Sequence, residues 1–321
     1  MRGSYENSEF RSRNGRRQVR GWLAALALGW AAGCASPPAA QFTDADWVSH
    51  AATGRGAYER GDVRRAAEAY GRAEQRARAL DDADALAVAA VNRALCLVAA
   101  GQASEARTAI DEALADARVS PQRRAELQVA GARAELAVGQ ADAALARAAE
   151  ALKSQPDSLL RAQALLVRAG AELARPDPAA ATQALADGLS DKAWRQLPAS
   201  LRAEQAALRG AIAAADKKFA EAVARQDEAA ALWKQADRLP EMARALAAAG
   251  RQAQAADDLA GAADRFYRSA RSLWAQGLQP EAVRVLEEGV SVAERLDDEA
   301  IAKKMADLFV TFKAEQRQNE Q

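Results

Sequence analysis

A pattern of small residues recurs along the chain at intervals of 37 to 40 residues, and it restricts the available folds more than any other feature. Each copy starts at a turn residue. Ala follows five residues later, a larger or apolar residue nine later, and Ala or Gly twelve later. The copies with this spacing are headed by Gly61, Gly101, Gly139 and Pro176, and Gly277 heads another copy 101 residues further on. A unit of this length holds two short helices and their turns, so stacked helical hairpins are predicted.

Alanine makes up more than a quarter of the 321 residues, whereas aromatic residues account for only 5%. Alanine is the best helix former and is depleted in strands, so a sheet-based fold is disfavoured. Small side chains also let helices approach closely, with larger residues filling the remaining space. The predicted fold class is therefore all-α, a superhelical array of antiparallel helical hairpins.

The repeat resembles the tetratricopeptide repeat, a helical hairpin with small residues at its crossing and an aromatic residue four positions after an alanine. The first copy matches this pattern with Ala66, Tyr70 and Ala73. Two features depart from the family: the period is longer than 34 residues, and Arg93 and Gly131 stand where leucine is expected. The resemblance implies a protein-binding array whose first helices line a concave groove.

The N-terminus has the three parts of an export signal. A basic stretch from Arg11 to Arg20 precedes an apolar run from Trp22 to Ala32, and Gly33 and Cys34 follow. The run is shorter than the roughly 20 residues that a membrane-spanning helix needs. We therefore expect residues 1–33 to be removed on export.

The sequence before Cys34 also resembles the lipobox of bacterial lipoproteins, in which the cysteine becomes the acylated first residue. By that resemblance Cys34 carries a diacylglycerol and an N-acyl chain, which together give stable anchoring. Ala35 follows the cysteine where an aspartate would retain the protein in the inner membrane. The implied location is the periplasmic face of the outer membrane. An ordinary cleaved signal or an uncleaved anchor, with Cys34 incidental, is the alternative.

These features predict five segments along the chain. Their order is a signal peptide over 1–33, a tether with acylated Cys34 over 34–43, tetratricopeptide-like repeats over 44–190, degenerate helical repeats over 191–316, and a polar tail over 317–321. The proline-containing stretch around Pro176 and the segment from Asp187 to Ala199 predict the weakest packing. A boundary between two sub-arrays is expected there.

The residues that chemistry requires are scarce. Without residues 1–33 the chain has 38 basic and 42 acidic residues, so nucleic acid is an improbable partner. The single histidine, His50, stands beside Ser49 on a predicted helix, where neighbouring side chains do not face each other. Cys96 lies in an apolar run, which predicts a buried, inert thiol. No catalytic site, metal or cofactor is predicted.

The expected binding site is the groove that the family resemblance implies. In that register the groove-facing positions include Arg55, Tyr58, Asn92 and Arg133. Asn92 stands at the family's asparagine position for grasping a peptide backbone, but the basic residues of the family's carboxylate clamp are missing around it. The plainer interpretation is that Asn92 packs or caps, and that the other three are solvated surface residues.

Together, Cys34 and the repeats predict a lipid-anchored, non-enzymatic scaffold that binds an envelope protein or peptide during cell-envelope assembly. Two alternatives stay open. One is an envelope enzyme or its ligand-binding subunit, acting for instance on peptidoglycan. The other is an inert structural spacer.

The two cysteines offer a matched test of the anchor. Replacing Cys34 with alanine should move the mature protein from the membrane fraction to the soluble periplasm, because the tether then has no acyl chains. The variant Cys96→Ala should remain in the membrane fraction. Fractionation and the mass of the N-terminal peptide measure both outcomes, and a Cys34→Ala protein that stays with the membrane would contradict the prediction.

Overall fold

A computed structural model describes residues 42–296 and 299–319, and the helices in these ranges contain most of the residues. Cys34 and the predicted signal peptide lie outside them. Within these ranges no strand occurs. The helices are α1 (Ala45–Glu59), α2 (Val63–Ala79), α3 (Ala83–Ala99), α4 (Ala103–Leu114), α5 (Pro121–Ala137), α6 (Ala141–Lys153), α7 (Ser158–Ala174), α8 (Pro178–Ala186), α9 (Asp191–Gln196), α10 (Ala199–Ala215), α11 (Phe219–Gln235), α12 (Leu239–Ala255), α13 (Leu259–Ala275), α14 (Gln279–Ala293) and α15 (Glu299–Asn319).

Successive helices pack against each other as antiparallel hairpins, which confirms the predicted all-α, tetratricopeptide-like fold class. The chain divides into two compact units after Gln196. Unit 1 contains α1 to α9, and unit 2 contains α10 to α15. The division falls inside the segment from Asp187 to Ala199, six residues beyond the boundary at 190 that the sequence predicts.

The short helix α9 lies inside the segment from Asp187 to Ala199, where the sequence predicts the weakest packing. Trp194 on α9 is 3% exposed, so the aromatic side chain holds this short helix against its surroundings. Among the described residues, no helix combines the length and apolar character needed to cross a bilayer.

The turns explain why the helices end where they do. Gly61 and Gly101 have φ values of 82° and 79°, in the left-handed region that glycine enters without a Cβ penalty. The residue after such a turn often caps the next helix. Asp62 and Asp82 accept hydrogen bonds from the backbone N–H groups of Arg65 at 3.1 Å and Ala85 at 2.9 Å.

Adjacent aspartates occur at positions 81–82, 257–258 and 297–298, and in the two described pairs the second aspartate caps the next helix. Asp258 accepts a hydrogen bond from the backbone N–H of Gly261 at 2.9 Å and so caps α13. Asp297 and Asp298 lie outside the described residues. Proline stands in the first turn of α5, α12 and α14, as expected for a residue whose missing N–H has no helical partner there.

Where a glycine closes a hairpin, it faces a larger residue 16 positions later. A Cβ added to Gly54 would lie 2.8 to 3.0 Å from the ring of Tyr70. A Cβ added to Gly250 would lie 3.0 to 3.2 Å from the ring of Phe266. Gly54 and Gly250 therefore lie at helix crossings. The helix that comes earlier in each hairpin, and that carries the glycine where there is one, is called the first helix, and its partner the second.

This relation shows that the last copy of the repeat pattern begins before a first helix, whereas the other copies begin before second helices. Gly61 and Gly101 precede second helices, but Gly277 precedes α14. A Cβ on Gly289 of α14 would lie 2.6 Å from Cε of Met305 on α15, so α14 is a first helix. The interpretation that Gly277 heads a copy in the same phase as Gly61 is therefore wrong, because both kinds of turn use the same left-handed conformation.

Two glycine substitutions test the crossing. Gly54→Ala should lower the free energy of unfolding by about 1 to 3 kcal/mol, since its methyl group would overlap the Tyr70 ring. Gly71→Ala is the control. A Cβ there would be 3.6 Å from Nε of Arg93, an ordinary contact, so the gain in helix propensity should leave stability unchanged or raise it by up to about 1 kcal/mol. Denaturant unfolding measures both, and equal effects would refute the crossing.

Candidate partner-binding surface

The first helices of unit 1 form its inner layer. The helices α3 and α5 contact each other directly, and so do α5 and α7, in addition to the contacts that each makes with its own second helix. Most of their side chains are therefore buried on every side. The polar residues on these helices include Asn92, Arg133, Glu135 and Gln163, all less than a tenth exposed.

The first helices α1, α3 and α5 can be compared at one equivalent position, and on α1 and α5 that position holds a predicted groove residue. Arg55, Leu95 and Arg133 each stand six residues before the turn glycine that follows their helix, which is Gly61, Gly101 or Gly139 in turn, and each directly follows a small residue, Gly54, Ala94 or Ala132. Ala94 and Ala132 are at most 1% exposed. The structure thus places Arg55 and Arg133 at equivalent positions of separate hairpins. Arg55 is exposed, whereas Arg133 is only 6% exposed.

Tyr58 lies one turn after Arg55 on α1, on the same side of that helix. It is half-buried and packs against the core formed by α1 to α5. A half-buried aromatic side chain is a common contact point for a binding partner. Arg55 and Tyr58 therefore form the accessible part of the predicted site.

Asn92 is used differently from the prediction of a peptide contact. Its side chain is 7% exposed, and its Nδ2 atom donates a hydrogen bond to the backbone carbonyl of Val88 at 2.8 Å. Val88 precedes it by one turn of α3, so the amide group bonds to its own helix. This is the packing role that the sequence analysis keeps as the alternative.

Buried carboxylates lie between first and second helices, and the sequence analysis does not identify them. Glu74 on α2 is 2% exposed and accepts a hydrogen bond from Arg93 on α3 at 2.8 Å. Burial raises the pKa of Glu74, and the charge of Arg93 opposes that rise. Glu135 on α5 is 3% exposed and meets Arg107 at 3.0 Å and Arg147 at 3.4 Å. These pairs hold neighbouring helices in register beside the candidate surface.

Two arginines on α12, a first helix of unit 2, are matched by carboxylates. Arg251 follows Gly250 as Arg55 follows Gly54, and both of its bonding nitrogens reach Glu288 on α14, at 2.6 and 2.8 Å. Arg244 bonds Glu281 in the same two-pronged way, at 2.8 Å for each hydrogen bond. Such bidentate pairs are among the stronger polar contacts in proteins.

Arg55 has no such partner in the described parts of the chain. The residue 37 positions after Arg251 is Glu288, but the residue 37 positions after Arg55 is Asn92, which is neutral. The same register position thus carries a saturated guanidinium in unit 2 and an available one in unit 1. An exposed, unmatched guanidinium can hold a carboxylate or carbonyl oxygen of another molecule.

Asp44 fixes the N-terminal end of α1, the helix that presents Arg55 and Tyr58. Its Oδ1 accepts a hydrogen bond from the backbone N–H of Trp47 at 2.9 Å. Its two oxygens also accept hydrogen bonds from Arg76 on α2, at 2.9 and 2.6 Å. The hydrogen bond with Arg76 is the main cause that lowers the pKa of Asp44 to about 2.

Residues with other chemistry are not gathered into a site. Across residues 42–296 and 299–319, no group of three or more His, Cys, Asp or Glu residues is arranged to hold a metal ion. His50 is half-buried on α1, and Cys96 is 1% exposed, in the buried setting that the sequence predicts. Trp194 and Trp233 are core residues, at 3% and 4% exposed. Trp274 is half-buried and stacks on Phe312, with ring centroids 3.9 Å apart.

Comparison with known proteins gives matches in structure alone. No protein-family model and no curated protein matches the chain. The fold is similar to the crystal structure of yeast Tom70, with 12% identity and a TM-score of 0.48 over 98% of this chain and 76% of that chain. It is also similar to a TPR2AB-domain:pHSP90 complex of yeast Sti1, with 16% identity and a TM-score of 0.34 over 83% of this chain and 98% of that chain. At these identities the likenesses concern helical-hairpin architecture and say nothing of what this chain binds.

The low pKa of Asp44 gives a pH test of how α1 is held. Because that pKa lies near 2, below its ordinary 3.8, the stability from ionised Asp44 is complete above about pH 4 and is lost as the pH falls toward 2. Asn can still cap the helix but cannot form the ion pair. The difference in melting temperature between the wild type and Asp44→Asn should therefore be largest near pH 6 and should shrink steadily as the pH falls from 4 through about 2. A difference that does not change with pH would contradict this.

Proposed function

We propose that this protein is a non-enzymatic scaffold of the cell envelope, anchored through Cys34 to the periplasmic face of the outer membrane. Unit 1 binds an extended segment of an envelope protein along its first helices during envelope assembly. The tether from Cys34 to Thr43 reaches at most about 30 Å, so the folded units act close to the membrane surface. The partner is held by polar and aromatic contacts rather than by chemistry at a catalytic centre.

One observation supports this proposal above the others: Arg55 is exposed and lacks a carboxylate partner in the described chain, whereas Arg251, at the equivalent position of unit 2, is saturated by Glu288. Tyr58 lies one turn away and adds an aromatic surface. A guanidinium and an aromatic ring on one helix face are the residue types that most often carry binding energy in protein interfaces.

The buried polar layer behind these residues supports the same function. The pairs Glu74–Arg93 and Glu135–Arg107 fix the helices that present the surface. A surface held in place by its own core loses less entropy when it binds than a flexible one. In this proposal Asn92 and Arg133 shape the floor of the groove, and Arg55 and Tyr58 make the direct contacts.

Site-directed cross-linking in native membranes tests the proposal. A photo-reactive amino acid at position 52, an exposed alanine one turn before Arg55, should trap a specific partner. The double variant Arg55→Ala, Tyr58→Ala should reduce that product at least about tenfold, since each change removes a contact worth about 1 to 2 kcal/mol.

The control is Arg64→Ala, because Arg64 is an equally exposed arginine on α2, a second helix. It should leave the cross-linked product unchanged. Equal loss in both variants would indicate a general charge effect and refute the groove. No specific product with any variant would refute the scaffold and favour a structural spacer.

A further inference from the structure

A phenol ring near the C-terminal end of unit 2 is approached by two cations from two helices. Tyr267 lies on α13 and is half-buried. The Nζ atom of Lys304 on α15 lies 4.1 Å from the centroid of its ring, and the guanidinium carbon of Arg271 on α13 lies 5.4 Å from it. Both distances are within the range of cation–π attraction.

Neither cation has a carboxylate partner among the residues that the structure describes. Arg271 and Lys304 are exposed, and the hydroxyl of Tyr267 has no hydrogen bond within those residues. The nearby Arg268 is matched by Asp264 at 3.2 Å, so carboxylates are present on this surface, yet neither of the two cations pairs with one. Because both cations lie within 5.4 Å of the centroid of one ring, an anion bound by both would reduce the repulsion between them.

The arrangement of donors differs from the ion pairs that this chain forms with its own carboxylates. Arg265 meets Asp227 with two parallel hydrogen bonds, at 3.1 and 2.7 Å, which is the planar geometry that a carboxylate needs. At Tyr267 the donors are instead a guanidinium, an ammonium and a hydroxyl, and they come from two helices. Separate donors on three side chains, rather than one planar guanidinium fork, suit the several oxygens of a tetrahedral oxyanion better than a planar carboxylate.

We propose that Tyr267, Arg271 and Lys304 form a binding site for a phosphate group, either free or carried by a lipid headgroup. The two cations neutralise the charge of the phosphate, and the hydroxyl of Tyr267 donates to one of its oxygens. The site lies on second helices of unit 2 and does not depend on the partner-binding surface of unit 1. No bond is made or broken in this role.

Binding of pyrophosphate and of vesicles to the purified Cys34→Ala protein, which lacks the proposed acyl chains, tests the site. The same experiment separates the two sources of phosphate. Titration calorimetry should show saturable binding of pyrophosphate, with acetate binding at least about tenfold more weakly because it is planar and singly charged. Co-sedimentation compares phosphatidylglycerol vesicles with phosphatidylcholine vesicles. Binding of pyrophosphate identifies a site for the free group, and binding only to the anionic vesicles identifies a headgroup site.

Variants show whether the three residues form one site. Arg271→Ala and Lys304→Ala should each weaken binding about tenfold, the loss expected for one charge-assisted hydrogen bond. Tyr267→Phe keeps the ring beside both cations and removes the hydroxyl alone, so it should weaken binding by a smaller factor. Arg271 and Lys304 are exposed, so their replacement should not change the melting temperature.

Lys234→Ala is the matched control, because Lys234 is an exposed lysine on α11 that forms no ion pair within the described chain. It should bind as the wild type does. The proposal is overturned if Lys234→Ala weakens binding as much as Lys304→Ala, if acetate competes as well as pyrophosphate, or if neither pyrophosphate nor anionic vesicles bind.

Discussion

The close approach of two helices at a small residue is the contact on which the rest of the structure depends. At Gly54 and Gly250 a hydrogen atom replaces a side chain, so the rings of Tyr70 and Phe266 can lie directly against the backbone of the first helix. A Cβ at either position would force the helices apart. The high alanine content extends this contact along each helix, because alanine side chains such as Ala66 and Ala106 are completely buried. Interior packing of this density leaves little freedom for a helix to shift.

Close packing also determines which polar residues can act. When first helices contact one another as well as their own partners, residues such as Asn92 lose their access to solvent and must find hydrogen bonds inside the protein. Asn92 does so within its own helix, Glu74 accepts a hydrogen bond from Arg93, and Glu135 accepts one from Arg147. Access to solvent is retained on α1 at Arg55 and, in part, at Tyr58. Position in the packing, more than residue type, therefore separates polar residues that reach solvent from those that serve the structure.

The helices could be predicted from sequence because their limits depend on local chemistry. Asp82 caps α3 with its own side chain, and Gly61 adopts a left-handed turn, so neither needs a distant contact. Whether Gly277 precedes a first or a second helix could not be predicted, since the turns before both kinds of helix have the same sequence features. Helix α9 was missed because six residues carry no period, and only the burial of Trp194 defines it. The burial of Glu135 was not predicted, because a charged residue is expected on the surface unless its ion-pair partners are known. The sequence alone does not identify those partners.

The ion pairs between hairpins connect the candidate surface to the repeat itself. Arg251 and Glu288 are 37 residues apart, and Arg265 and Asp227 are 38 apart, so each pair joins one hairpin to the next. A cation is matched when the neighbouring hairpin offers a carboxylate one repeat away. The residue at the same interval from Arg55 is the neutral Asn92, so Arg55 lacks the carboxylate that Arg251 finds in the next hairpin. The spacing of the repeat alone therefore does not match every cation, because the pairing also depends on which residue stands at that position of the neighbouring hairpin.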